Sequence, residues 1–190
     1  LVGSEMCIRD RIIDGRKEAE LISNNRIFEN LNSINLKNFL FVDVGGGSTE
    51  FSMLKNGKRI HSKSFKIGTV RLLNNRVSEE MWHRAEKWVK EKTSENQKIY
   101  LLGTGGNINK LHKMANIKDN RPITYLTLNA LYSKLSKMTF EERIVELGLN
   151  PDRSDVILPA AQLFLRTLNW SGSKVIYVPK VGLSDGMILE

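Results

Sequence analysis

The sequence predicts an α/β fold, a mixed five-stranded sheet with flanking helices, on three observations. Four apolar residues, 39–42, run into Asp43, and an apolar-alternating run at 51–54 follows Gly45-Gly46-Gly47-Ser48-Thr49-Glu50. That pattern reads as strand, tight turn, strand. Met81, Trp82, Ala85, Trp88 and Val89 fall on one face of a helix. Residues 98–102 then read as a strand that enters Gly103-Thr104-Gly105-Gly106 and a second helical stretch. The resulting order is βββαβ, a helical insertion, then βα.

The first hairpin organises the rest. Three consecutive glycines cost backbone entropy, and a plain hairpin does not need all three. They offer naked backbone N–H groups with no Cβ to hold a ligand away. Ser48 and Thr49 add hydroxyl donors, and Asp43 and Glu50 bracket the loop with carboxylates. Donors flanked by acids suit a phosphate chain carrying a divalent cation, since Mg²⁺ is held by one or two carboxylates plus phosphate oxygens. The residues alone serve a purely structural turn equally well. No Lys follows the glycines, and Glu50 stands where a nucleophile elbow needs glycine, so Ser48 is a phosphate donor rather than a nucleophile.

The remaining elements follow in order. Asn56-Gly57 favours a type I′ turn into a third strand over residues 59–66. Ser78 caps the next helix, with Glu79 and Glu80 in its first turn. The turn Gly103-Thr104-Gly105-Gly106 opens a helix, and strand, glycine turn and helix N-terminus together form an anion site, although G-x-G-G is a weak signal by itself. Lys110 and Lys113 extend the positive field along that helix. Residues 116–124 read as a loop and 127–137 as a helix. Thr139 and Glu142 form a capping box. Pro159 predicts a kink or a late start in the apolar helix that follows. Residues 174–178 form the fifth strand.

Composition narrows the partners. The chain has 190 residues, 41% hydrophobic and 26% charged, ordinary for a globular domain. Its 29 Lys and Arg against 21 Asp and Glu leave a net charge of +8, which favours polyanions. The basic residues are scattered without interleaved aromatics, so no specific nucleic acid is expected. No apolar run approaches the ~18 residues that span a bilayer, so no membrane partner is expected. Cys7 is the sole cysteine, which excludes a disulfide framework and suits a reducing, cytoplasmic setting. His61, His83 and His112 lack metal-ligand spacing. Residues 1–11 read as an adapter-like tail foreign to the fold.

Asp43-Val44-Gly45-Gly46-Gly47-Ser48-Thr49-Glu50 closely resembles the second phosphate-binding motif of the exopolyphosphatase / guanosine pentaphosphate phosphohydrolase (Ppx/GppA phosphatase) family, within the actin-like ATPase superfamily. Further segments resemble the family too: Gly15-Arg16-Lys17-Glu18-Ala19, Ile67-Gly68-Thr69-Val70-Arg71-Leu72, the Gly148-Leu149 to Arg153-Ser154-Asp155 stretch, and Gly182-Leu183-Ser184-Asp185-Gly186. The resemblance implies a ribonuclease-H-like lobe of actin/sugar-kinase type over residues 39–190. It makes 12–38 a remnant of a first lobe and its linker, whose own phosphate loop is missing.

The implied activity is hydrolysis of a terminal phosphoanhydride in polyphosphate or guanosine pentaphosphate. Glu18 is the implied catalytic base, though by itself it also reads as an acid favoured by a helix dipole. The implied phosphate donors are Gly45, Gly46, Gly47, Ser48, Thr49, Gly103, Thr104, Gly105 and Gly106. Asp43 and Glu50 are the expected ligands of Mg²⁺ (or Mn²⁺). Arg71 is left open between facing phosphate and lying on the surface, and Arg153 is expected to pair with Asp155. A homodimer is expected for the complete protein. Two rivals stay open: an ATP-binding kinase or ATPase of the same superfamily, and a non-catalytic sensor of guanosine polyphosphates.

Overall fold

The computed structural model describes residues 38–56, 58–94, 98–118 and 121–179. Glu18, the 12–38 remnant up to residue 37, the tail at 1–11 and the Gly182–Gly186 segment lie outside them. The described elements are β1 (Asn38–Val44), β2 (Thr49–Lys55), β3 (Lys58–Phe65), α1 (Thr69–Leu73), α2 (Glu79–Thr93), β4 (Tyr100–Thr104), α3 (Gly106–Met114), β5 (Ile123–Thr124), α4 (Tyr125–Ser136), α5 (Phe140–Leu147), α6 (Pro151–Ser171) and β6 (Val175–Tyr177). They form one open mixed sheet in the order β3-β2-β1-β4-β6-β5.

The expected meander is present. β1 pairs antiparallel with β2, and β2 with β3, with an irregularity between Met53 and Leu54. Asn56 in the connecting turn has φ +51°, as the Asn-Gly signal requires. β4 returns parallel to β1, and β6 parallel to β4. The sheet has six strands, not the five predicted. The extra strand, Ile123–Thr124, pairs antiparallel with β6 inside the stretch read as a loop. Two residues are too short to show an alternating pattern, and burial of Ile123 opposite Ile176 fixes them.

Alternation along the strands separates two faces. Leu40, Val42, Val44, Phe51, Met53, Leu101 and Ile176 join one core with Trp82, Ala85 and Val89 of α2, Ile108 and Leu111 of α3, and the buried face of α6. α6 is the hub of this layer, touching α1, α2, α3, α4 and α5. The opposite face carries a smaller cluster, Phe39, Phe41, Leu54 and Leu102, flanked by Tyr100 and Tyr177. No described helix is long and apolar enough to cross a membrane.

The capping signals hold. Ser78 Oγ accepts from Met81 N–H, and Thr139 and Glu142 form the reciprocal capping box. The helix expected at 127 begins at Tyr125, because Thr124 Oγ1 accepts from Thr127 N–H and so serves as its cap. Pro159 gives no late start. α6 begins at Pro151 in its first turn, where a missing N–H is harmless, and runs through Pro159 to Ser171. α1 was not anticipated. Its five residues have no side-chain cap, and its backbone is fixed by the loop it supports.

Candidate functional site

The loop after β1 is closed by Gly45 N–H donating to Ser48 O at 2.9 Å. Its carbonyls are fastened to α1. Gly45 O accepts from Thr69 N–H at 3.0 Å, and Gly46 O from Val70 N–H at 3.0 Å and Arg71 N–H at 3.4 Å. Gly47 O accepts from Arg71 Nε at 2.8 Å. In a planar trans peptide the C=O and the next N–H point in opposite directions. Three carbonyls held on the α1 side therefore turn the N–H groups of Gly46, Gly47 and Ser48 away from α1. These three have no hydrogen-bond partner among the described residues. Successive free N–H groups in a turn make an anion-binding concavity.

The three loop glycines differ in what they do. A Cβ on Gly45 would stand 3.2 Å from Ser48 O, and one on Gly46 3.2 Å from Val70 Cγ2, so packing favours glycine at both. A Cβ on Gly47 would meet nothing within 4 Å. The fold leaves that position open, so packing gives no reason for glycine there. Behind the loop, a Cβ on Gly68 would overlap the Gly46 carbonyl. Gly68 is thus the floor on which the loop rests. Ser48 is half-buried beside the free N–H groups, whereas Thr49 is fully buried and its hydroxyl donates to Ile67 O. The Thr49 side chain ties the loop to the segment before α1 and is not turned to a ligand.

The second glycine turn lies beside the first because β1 and β4 are parallel neighbours, with Asp43 opposite Thr104. Both loops leave from the carboxyl ends of adjacent strands. Gly105 has φ +95°, and a Cβ there would stand 3.1 Å from Asp43 Oδ1, so the turn passes over the Asp43 carboxylate. Gly106 opens α3. Gly103 serves the core instead, because its missing side chain makes room for Ile108, Phe164 and Ile176.

Register also aligns the polar side chains. Asp43 pairs with Glu50 on β2 and with Thr104 on β4. Directly opposite residues share a sheet face, so Glu50, Asp43 and Thr104 form a row across three strands, on the face opposite the described helices. Glu50 is exposed and Asp43 half-buried. Thr104 Oγ1 is buried and has no hydrogen-bond partner among the described residues. The described residues contain no group of three His, Cys, Asp or Glu able to hold a metal by themselves. Two carboxylates beside an orphaned hydroxyl and a turn of unpartnered N–H groups fit Mg²⁺, which takes few protein ligands and completes its shell with other oxygens and water.

Arg153 also stands at this site, a place that no motif in the sequence assigns to it. Its guanidinium lies against Gly106, where a Cβ would stand 2.5 Å from Nη1 and Nη2, and Nη1 donates to Asn107 Oδ1 at 3.1 Å. The expected pair with Asp155 is replaced by this bond across 46 residues. Helical geometry was the available signal, since side chains two apart on a helix point away from each other. Arg71 lies at the first loop, bound to Gly47 O.

The chain has counterparts among known proteins. The chain is 31% identical over 209 aligned positions to the bifunctional 3-dehydroquinate synthase/phosphatase of Fusobacterium nucleatum, covering all of this chain and 31% of that protein. The PPX-GPPA enzyme of Aquifex aeolicus superposes with TM-score 0.65 at 25% identity, over 83% of this chain and 58% of that one. An exopolyphosphatase from Cytophaga hutchinsonii superposes with TM-score 0.68 at 23% identity, over 93% of this chain and 63% of that one. The chain thus spans less than two thirds of the length of each. The family profile described as Ppx/GppA phosphatase matches residues 2–190. With that match over nearly its whole length, the actin-like fold shared with the solved structures and two glycine turns side by side, the chain belongs to the Ppx/GppA phosphatase family.

Proposed function

We propose that this chain is the second lobe of a phosphoanhydride hydrolase that releases the terminal phosphate of inorganic polyphosphate or guanosine pentaphosphate. The observation that carries the reading is the adjacency of the two glycine turns, with the Asp43 carboxylate between them. In this scheme water attacks in line with the leaving phosphate. Glu18 orients the water and takes its proton. The N–H groups of Gly46, Gly47 and Ser48 hold phosphate oxygens as charge shifts in the transition state. Ser48 Oγ and the Gly105-Gly106 turn add donors. Asp43 and Glu50, with Thr104 Oγ1 in the same row, would hold Mg²⁺ or Mn²⁺. Bound there, the cation supplies charge neutralisation on the phosphates.

The test is phosphate release by a complete two-lobed protein from long-chain polyphosphate, guanosine pentaphosphate and ATP. Turnover of either of the first two with little of ATP supports the proposal. Preference for ATP favours a kinase or ATPase, and saturable binding of guanosine polyphosphates without turnover favours a sensor. Asp43→Asn should raise the Mg²⁺ concentration needed for half-maximal activity, measured by metal titration. Full wild-type activity in excess chelator would remove the metal from the scheme. The 190-residue chain alone is expected to be essentially inactive on both substrates. Phosphoryl transfer depends on positioning and charge stabilisation, and a lobe with a single set of loops supplies only part of each. Turnover by this chain equal to that of an intact family member would show that one lobe suffices.

A further inference from the structure

We propose that Arg71 is a positioning residue that latches the last peptide of the phosphate loop. The other two loop carbonyls, of Gly45 and Gly46, are held by backbone N–H groups of α1. Any residue at 69, 70 or 71 except proline supplies those bonds. The Gly47 carbonyl is held by a side chain instead, Arg71 Nε at 2.8 Å, reaching back 24 residues. The peptide so fixed is Gly47–Ser48. Its C=O faces Arg71, and its N–H therefore faces away, beside the N–H groups of Gly46 and Gly47.

Without the latch neither polar group of this peptide has a hydrogen-bond partner among the described residues, and only the neighbouring Gly45 N–H to Ser48 O bond restrains it. A Cβ on Gly47 would meet nothing within 4 Å, so no packing on that side of its Cα resists rotation. A flip of the Gly47–Ser48 peptide would replace a donor with a carbonyl oxygen in the anion concavity. Arg71 thus acts through the loop and needs no contact with the substrate. The inference rests on the reading of this loop as a phosphate site.

The two properties of Arg71, donor and charge, are separable by substitution. Gln Nε2 stands the same number of bonds from Cα as Arg Nε, so Arg71→Gln keeps a donor and removes the charge. Arg71→Met keeps the length and removes both. The measurement is calorimetric binding of inorganic triphosphate with Mg²⁺ to the 190-residue chain and its variants, alongside thermal melting. We expect Arg71→Gln to bind within about threefold of wild type and Arg71→Met to weaken binding at least about tenfold, the scale of losing a charge-assisted hydrogen bond. Melting temperatures of both should stay within a few degrees of wild type.

Equal affinity of Arg71→Met and wild type would overturn the latch, as would equal weakening by both substitutions, which would assign the effect to charge alone. A lowered melting temperature with unchanged affinity would make Arg71 merely structural. Because binding needs no turnover, the inference separates from the hydrolase reading. Triphosphate binding that depends on the latch, in a protein whose complete form releases no phosphate, would retain the latch and sink the hydrolase. A wild-type chain that binds no triphosphate would overturn the latch, and the hydrolase reading would then stand or fall on phosphate release by the complete protein.

Discussion

Gly68→Ala is expected to reduce kcat/KM of the complete protein by at least about 10²-fold, and to lower stability as well. The added Cβ would collide with the carbonyl carbon and oxygen of Gly46 and stand 2.5 Å from Gly47 C. All three are backbone atoms, so no flexible side chain can give way. Either the loop lifts or α1 moves, and in both cases the bonds from Thr69, Val70 and Arg71 to the loop carbonyls are strained. A displacement of about 1 Å in a positioning group costs on the order of 10²-fold in rate. Overpacking at such a site destabilises by about 1–3 kcal/mol. Steady-state kinetics and thermal melting check both parts. Gly47→Ala is the matched control, since its Cβ would meet no protein atom within 4 Å. It should melt like wild type while impairing phosphate binding. A Gly68→Ala protein with wild-type kinetics would show that the floor beneath the loop does not set its geometry.

Glu18→Gln should lower kcat by about 10²–10⁴-fold, the usual worth of a general base, with substrate affinity little changed. The amide keeps the shape and hydrogen-bonding reach of the carboxylate but cannot accept the proton of the attacking water. Single-turnover rates together with substrate Kd would separate the two effects. Near-normal turnover would return Glu18 to the simpler role of an acid at a helix N-terminus.

Much of this fold was legible because its signals are local. The β1–β2 hairpin announces itself through its glycines, and the α2 stripe through Trp82, Ala85 and Val89, all buried as expected. Ser78 and Thr139 cap the helices they precede. What escaped the sequence depends on contacts between distant segments. α1 is held by the loop from residues 45–47, more than twenty positions earlier, and carries almost no helical signature of its own. β5 exists only because β6 is there to pair with it.

The site divides along the same line. The motif marked Gly46, Gly47 and Ser48, whose N–H groups the fold leaves without a hydrogen-bond partner among the described residues. Which of its residues serve the fold was decided by neighbours: Ile67 for Thr49, Phe164 and Ile176 for Gly103. Arg153 and Arg71 are long side chains whose targets lie 46 and 24 residues away, and no pattern in the chain names such targets.

The parallel pairing of β1 with β4 has a consequence for anyone redesigning this cradle. The gap between the two glycine turns is inherited from the strand spacing, about 4.8 Å. Trimming or lengthening either turn leaves that pitch untouched, because it is set by backbone bonds inside the sheet. Its tolerance is also all-or-none. A one-residue slip of β1 against its partners would carry Asp43 to the opposite face and bring a valine, Val42 or Val44, into its place. On the proposed two-lobed reading, a substrate of different width would be met by changing the opposing lobe, since this one offers a fixed gauge.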